Sequence, residues 1–174
     1  MLVVGLGNPG AKYHGTRHNA GFTVLNRVAE RLNAPPFQDR CDGAFATVRP
    51  GFGLFKPMTF MNLSGGPVRA AMRFLNVAAS HVLVIHDELD LPYGSIVSQM
   101  GGNSGGHKGV QSVVEHCSDA FARVRVGIGR PSRGESIVGY VLAPWADPDA
   151  AIERAAGIVL ELIATAAQPQ AAAQ

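Results

Sequence analysis

Val82-Leu83-Val84-Ile85 is an unbroken apolar run followed at once by His86-Asp87-Glu88. An apolar run without polar alternation fits a strand covered on both faces. Such a strand has to be sandwiched between layers, and the flanking segments supply them. Leu2-Val3-Val4-Gly5-Leu6 reads as a second short strand, and Phe22, Leu25, Val28, Ala29 and Leu32 follow helical spacing until Asn33-Ala34-Pro35-Pro36 ends the run. Ala44 to Val48 and Gly53 to Lys56 form a hairpin across Pro50-Gly51. A helix from Ser64 or Pro67 turns Val68, Ala71, Met72 and Leu75 inward. A strand over Ser95 to Met100, a glycine-rich loop over 101–109, a helix near Val110 to His116 and a strand over Arg123 to Ile128 with one polar face come next. Asp147-Pro148 marks a helix start, with Ile152, Ala156, Val159, Leu160 and Ile163 as its buried stripe.

Alternating strands and helices predict a single-domain α/β fold over residues 1–163, a three-layer sandwich with a central mixed, mostly parallel twisted sheet. Residues 164–174, rich in Ala and Gln, read as a frayed tail. Ligand sites in open sheets gather at strand C-terminal ends, which here carry Asn8 and Asp87. With 174 residues and 47% hydrophobic content the chain can bury a sizeable core. A formal charge of +2 announces no nucleic-acid partner by itself, so a basic patch has to come from local clustering. Cys41 and Cys117 stand apart without metal-ligand spacing and read as reduced thiols. Leu2-Val3-Val4 directly after Met1 predicts no charged leader, and no stretch approaches the roughly 20 apolar residues of a membrane span. A cytoplasmic protein is expected.

Gly5-Leu6-Gly7-Asn8-Pro9-Gly10 has the dinucleotide-binding spacing, but Pro9 and Gly15 oppose a helix opening inside the loop, and Glu30 lies mid-helix. The second glycine loop misses the phosphate-binding pattern, because His107 stands where glycine belongs and Gly109 where a magnesium-binding hydroxyl belongs. Gly102-Asn103-Ser104-Gly105-Gly106 spells a nucleophile elbow, yet no acid separates Ser104 from His107. Its plain reading is backbone that must pass close to something. His14 and His18 lack the adjacent glutamate of a zinc helix, and Gly15 interrupts any helix between them. Taken singly, His18 reads as a surface or capping histidine, Asp87 as a cap or turn residue, and Phe60-Met61-Asn62-Leu63-Ser64-Gly65 as core residues beside an N-cap. Arg123, Arg125, Arg130 and Arg133 form a solvated charge run or a phosphate track.

Taken together these segments resemble the bacterial-type peptidyl-tRNA hydrolase family from Leu2 to about Leu162. The resemblance rests on the first glycine turn, Tyr13, Thr16-Arg17-His18-Asn19, Phe60 to Gly65, His86 to Pro92, Gly105-Gly106-His107 and Arg123 to Gly129. It implies a monomeric, metal-independent and cofactor-independent enzyme that releases peptide from peptidyl-tRNA. In that scheme His18 activates water and Asp87 orients its ring; histidine suits the task because its ordinary pKa, about 6.5, lies near neutral pH. Asn62 donates to the water or the oxyanion, where one donor is worth about 2.7–4 kcal/mol. Asn8 binds the ester-proximal peptide backbone, Tyr13 and Phe60 contact the tRNA end, and Met61 forms an apolar wall. Arg125 and Arg133 lie on the phosphate track.

Two positions depart from the family pattern. Lys108 replaces the usual asparagine, where its cation can face the oxyanion or a terminal phosphate. The chain also ends in Ala and Gln where relatives often continue with basic and aromatic residues, which bears on any lid over the peptide cleft. The rival reading is a non-catalytic RNA-binding protein on the same fold; Asn8, His18, Asn62 and Asp87 together weigh against it, because binding alone needs no base. A dinucleotide-dependent oxidoreductase is the third.

Overall fold

In the computed structural model, which describes residues 1–167, every residue of strand β5 (Val82–Glu88) is buried. It belongs to a seven-stranded sheet with β1 (Leu2–Gly5), β2 (Gln38–Arg40), β3 (Gly43–Arg49), β4 (Phe52–Pro57), β6 (Ile96–Met100) and β7 (Ala122–Gly127). The order is β2-β3-β4-β1-β5-β7-β6. Strands β4, β1, β5 and β7 run parallel, while β3 and β6 add antiparallel at either side and β2 closes one edge. The mixed sheet is as expected. Strand β2 gave no signal in the sequence because all its residues are exposed and polar, so no periodicity betrays it.

Two cores lie on the two sheet faces. On one, helices α1 (Ala20–Arg31) and α5 (Asp149–Ala167) pack Val24, Leu25, Val28, Ile152, Ala156 and Val159 over Val3, Leu83 and Ile85. On the other, α2 (Gly65–Leu75) and α3 (Lys108–Cys117) pack Val68, Ala71, Val110 and Val113 over Leu2, Val4 and Val84. Each fully buried aliphatic side chain contributes about 1.5–3 kcal/mol, so the residues alternating along β1 hold both layers to the sheet. Helix α1 sits unusually close: a Cβ on Gly21 would lie 2.3 Å from the Ile85 carbonyl oxygen. Asn33, at φ 48°, ends the α1 segment in a left-handed turn before the two prolines.

Helix α5 departs from expectation at both ends. Asp147 is not its N-cap but a left-handed residue at φ 45°; the helix starts at Asp149, and Ile152 N–H donates to the Pro148 carbonyl at 2.9 Å. Leu160 is half-buried, unlike the rest of the predicted stripe. The helix extends to Ala167, into the first residues of the predicted tail, as alanine's helix propensity favours. The rest of the predicted tail, 168–174, lies outside the described residues. A short helix unforeseen from the sequence, α4 (Ile137–Val141), is capped by Ser136 Oγ accepting from Gly139 N–H at 3.2 Å. Cys41 and Cys117 are free thiols, and among the described residues no helix is long and apolar enough to cross a membrane.

Candidate active site

The carboxyl ends of β1 and β5 open onto a cavity of about 350 Å³. Asn8, His18, Asp87, Glu88, His107 and Lys108 contribute to its polar lining; Leu89, Ile137, Val138, Val141 and Leu142 contribute to its apolar lining. Three segments deliver the polar groups. The carboxyl end of β5 fixes Asp87, which is 2% exposed. A single helical turn, Arg17–Asn19, presents His18 and is pinned to the segment after α4 by Arg17 N–H donating to the Ala143 carbonyl at 3.1 Å. The second glycine loop ends in His107, the residue that caps α3.

Asp87 is shared between two imidazoles. His18 Nδ1 lies 3.0 Å from both carboxylate oxygens, and His107 Nε2 lies 2.8 Å from Oδ1. The tautomers follow from the partners. His107 Nδ1 accepts the N–H groups of Gly109 and Val110, each at 3.2 Å, so the proton of neutral His107 sits on Nε2 and is donated to Asp87. An ionised carboxylate only accepts, so His18 donates from Nδ1 and leaves Nε2 as a free base. Burial alone would raise the Asp87 carboxyl, but the charges and hydrogen bonds of His107 and His18 together hold it well below the usual carboxylate range. His18, Asp87 and His107 also form the cluster that could hold a metal ion, with one ligand atom each within 4.8 Å of the others. Their 2.8–3.0 Å separations are those of direct hydrogen bonds, and a bridging ion would have to displace the ring protons.

His86, one residue before Asp87, is fully buried and donates from Nδ1 to the Asp87 carbonyl at 2.7 Å. Burial, with His107 nearby, pushes its pKa down to about 3. It stays neutral and packs at 66° to the His107 ring, centroids 4.9 Å apart. Glu88 is also held in place: Oε1 accepts from Asp90 N–H at 3.0 Å, and Oε2 pairs with Arg125.

Asn8 is buried and clamped from both sides. Asn19 exchanges two 2.9 Å hydrogen bonds with its backbone, and Asn8 Oδ1 accepts from Met61 N–H at 2.8 Å. Among the described residues Nδ2 has no partner, which leaves it to donate into the cleft. The Asn8–Met61 bond draws the turn Met61–Leu63 to the site, and Tyr13 and Phe60 meet edge to face beside it with centroids 6.5 Å apart. Phe60 is 54% exposed, a ring presented to solvent.

Not every expected site residue lies in the cleft. The Met61 side chain is core, packed against the position of Gly109, and takes part through its backbone alone. Asn62 is exposed on the rim turn and does not line the cavity. Lys108 does line it, as the exposed first residue of α3. Arg125 is spent on Glu88 and on Gln99 Oε1 at 2.9 Å, so its fork is directed at protein, not solvent. Arg133 is exposed on the loop after β7. Sequence reading did not assign roles to His107, Asn19 or the apolar wall of α4. Ile137, Val138, Val141 and Leu142 do have the spacing of one helix face, a signal shortened by Gly139 to barely more than a turn.

A histidine oriented by a buried carboxylate, at the head of a half-apolar cleft on an α/β sandwich, is an arrangement suited to acid–base chemistry. The peptidyl-tRNA hydrolase family model matches residues 2–174. A peptidyl-tRNA hydrolase of Geobacter sp. (strain M21) is 48% identical over 151 residues, covering 83% of this chain and 79% of that protein. One from Shouchella clausii is 46% identical over 145 residues, covering 81% and 78%. The crystal structure of peptidyl-tRNA hydrolase from Acinetobacter baumannii matches with a TM-score of 0.84 at 36% identity, over 94% of this chain and 86% of that one. The chain belongs to the peptidyl-tRNA hydrolase family.

Proposed function

We propose that His18 is the general base with which this chain, an enzyme of the peptidyl-tRNA hydrolase family, opens the ester between a peptide and the terminal ribose of tRNA. The carrying observation is the His18–Asp87 pair, which holds the ring with Nε2 unspent beside the cleft. Nε2 takes a proton from water as the water oxygen attacks the ester carbonyl carbon. The imidazolium then faces the Asp87 carboxylate, and it returns the proton to the ribose oxygen as the carbon–oxygen bond breaks. Peptide acid and free tRNA leave.

Asn8 Nδ2 donates to the peptide next to the ester, which favours a substrate whose amine is blocked. Asn62, carried on the rim turn, donates to the attacking water or the developing oxyanion, and Lys108 at the start of α3 stabilises that oxyanion or a terminal phosphate. Tyr13 and the exposed Phe60 stack on the tRNA end, and Arg133 lies where a phosphate can follow. Ile137 and Val138 offer an apolar surface to the peptide's last side chain. The reading includes a monomer acting in the cytoplasm, supported by the family resemblance.

The test is hydrolysis of N-blocked aminoacyl-tRNA by wild type and His18→Ala with chelator present, with free aminoacyl-tRNA as control. Chelator-resistant cleavage of the blocked substrate alone, lost in the variant, is expected. Binding of tRNA without cleavage by wild type would place the chain among RNA-binding modules instead.

A further inference from the structure

Beneath the second glycine loop lies a buried cation that the reaction does not use. Arg123, on β7, is 2% exposed and stands opposite Gln99 in the β6–β7 register. It makes no ion pair among the described residues. Instead, its NH1 donates to the Asn103 carbonyl at 2.9 Å and its NH2 to the Gly101 carbonyl, which also accepts from Gln99 Nε2 at 3.0 Å. The loop backbone rests directly on the guanidinium: Gly102 has φ +92°, and a Cβ there would lie 2.5 Å from Arg123 NH2. The clamped stretch continues through Asn103 Oδ1, which accepts from Gly105 N–H at 3.1 Å, to His107, whose N–H donates to the Ser104 carbonyl at 2.9 Å. His107 is the second imidazole on the Asp87 carboxylate, its ring centroid 5.0 Å from that of His18.

A buried charge without a direct ion pair is costly, and here its hydrogen bonds go to the backbone of one loop. We infer that Arg123 is a positioning residue: it fixes the 101–106 loop so that His107 Nε2 meets Asp87, and through Asp87 it sets the orientation of the His18 ring. The inference rests on the reading of His18 as base. Lysine cannot replace it, because a point charge cannot span the two carbonyls that the planar fork reaches.

The experiment compares wild type, Arg123→Lys, Arg123→Met and Gln99→Met, each also combined with His107→Ala. Loss of alignment in such a site costs about tenfold to a hundredfold in rate. Both Arg123 variants are expected to lose that much kcat, with KM for N-blocked aminoacyl-tRNA within about twofold of wild type. Gln99→Met should fall in the same direction but less, and it carries the test if an Arg123 variant does not fold. In the His107→Ala background the Arg123 changes should add little, because both act along one path. Imidazole NMR should show His107 losing its single Nε2–H tautomer in Arg123→Met. A raised KM with a reduced salt slope would overturn the inference in favour of a phosphate contact. So would multiplicative losses in the double variants, or unaltered imidazole signals. If wild type cleaved nothing, the proposed base would fail, while the imidazole signals would still decide the clamp.

Discussion

Asp87→Asn replaces a carboxylate that only accepts with an amide of the same shape that accepts through one atom and donates through the other. His107 cannot take the donor, since its Nδ1 is occupied by the Gly109 and Val110 N–H groups and its Nε2 carries the proton. It therefore claims the amide oxygen. The amide nitrogen is left facing His18 Nδ1, which must become an acceptor, and the His18 proton moves to Nε2. The nitrogen that should receive the water's proton is then filled. In a serine-protease triad the same tautomer error costs about 10⁴-fold in kcat, or about 5 kcal/mol at 1.36 kcal/mol per tenfold. Asp87→Asn should therefore lose about three to four orders of magnitude in hydrolysis of N-blocked aminoacyl-tRNA, with tRNA binding retained. Adding His107→Ala frees the amide to turn its oxygen toward His18. The double variant should then hydrolyse faster than Asp87→Asn alone, up to the level of His107→Ala. A loss below tenfold, or a double variant slower than Asp87→Asn, would refute the tautomer argument.

Further outcomes follow from other features of the site and core. His86, with its folded pKa lowered to about 3, stays neutral where the unfolded chain binds a proton below about 6.5. Stability should therefore fall as pH drops from about 6.5, by up to about 1.4 kcal/mol per pH unit, and urea titrations of His86→Gln should lack that component. Asp87, lowered in the fold, adds its own loss only below its ordinary value near 3.9, so the window between about 4 and 6.5 isolates His86. Lys108 puts a cation at the first position of α3, against the helix dipole. Lys108→Asn should raise the melting temperature slightly, by a gain of about 0.3–1 kcal/mol, while lowering turnover or the salt slope of tRNA binding; unchanged kinetics would remove Lys108 from the site. Gly21→Ala forces a methyl against the Ile85 carbonyl and should cost about 3 kcal/mol, read as a lower urea midpoint. An unchanged midpoint would mean that α1 does not sit that close.

The layers were legible in the sequence because apolar periodicity records burial directly: the runs at Leu2–Val4 and Val82–Ile85 became the parallel centre of the sheet. What was lost left no such record. Strand β2 is exposed and α4 is only a turn and a half, so neither repeats long enough to show a period. Asp147 was misjudged because an aspartate before proline has the composition of an N-cap, whereas its conformation depends on how the chain arrives there. At the site, residue identity exposed His18 and Asp87 but not the direction of the arginines. Arg123 and Arg125 alternate as a solvated face would, yet one lies under a loop and the other in an ion pair. A polar residue on an alternating strand faces water only if nothing is folded over it, and here the glycine loop returns across that face.

Hydrogen-bond accounting, finally, separates the histidines that composition cannot. His86 is closed off from the cleft, its Nδ1 given to a carbonyl and its ring fully buried. His116 spends Nδ1 on the Ser112 carbonyl at the far end of α3, and His81 pairs with Ser80 beside the start of β5. His14 is exposed on the turn before His18, outside the cavity lining. His107 reaches the cleft but has committed both nitrogens, one to a helix terminus and one to Asp87. Of the two histidines that reach the Asp87 carboxylate, only His18 keeps a nitrogen free of any partner among the described residues. The two rings on one carboxylate thus have different duties: His107 ties Asp87 to the glycine loop and α3, and His18 is left able to exchange a proton.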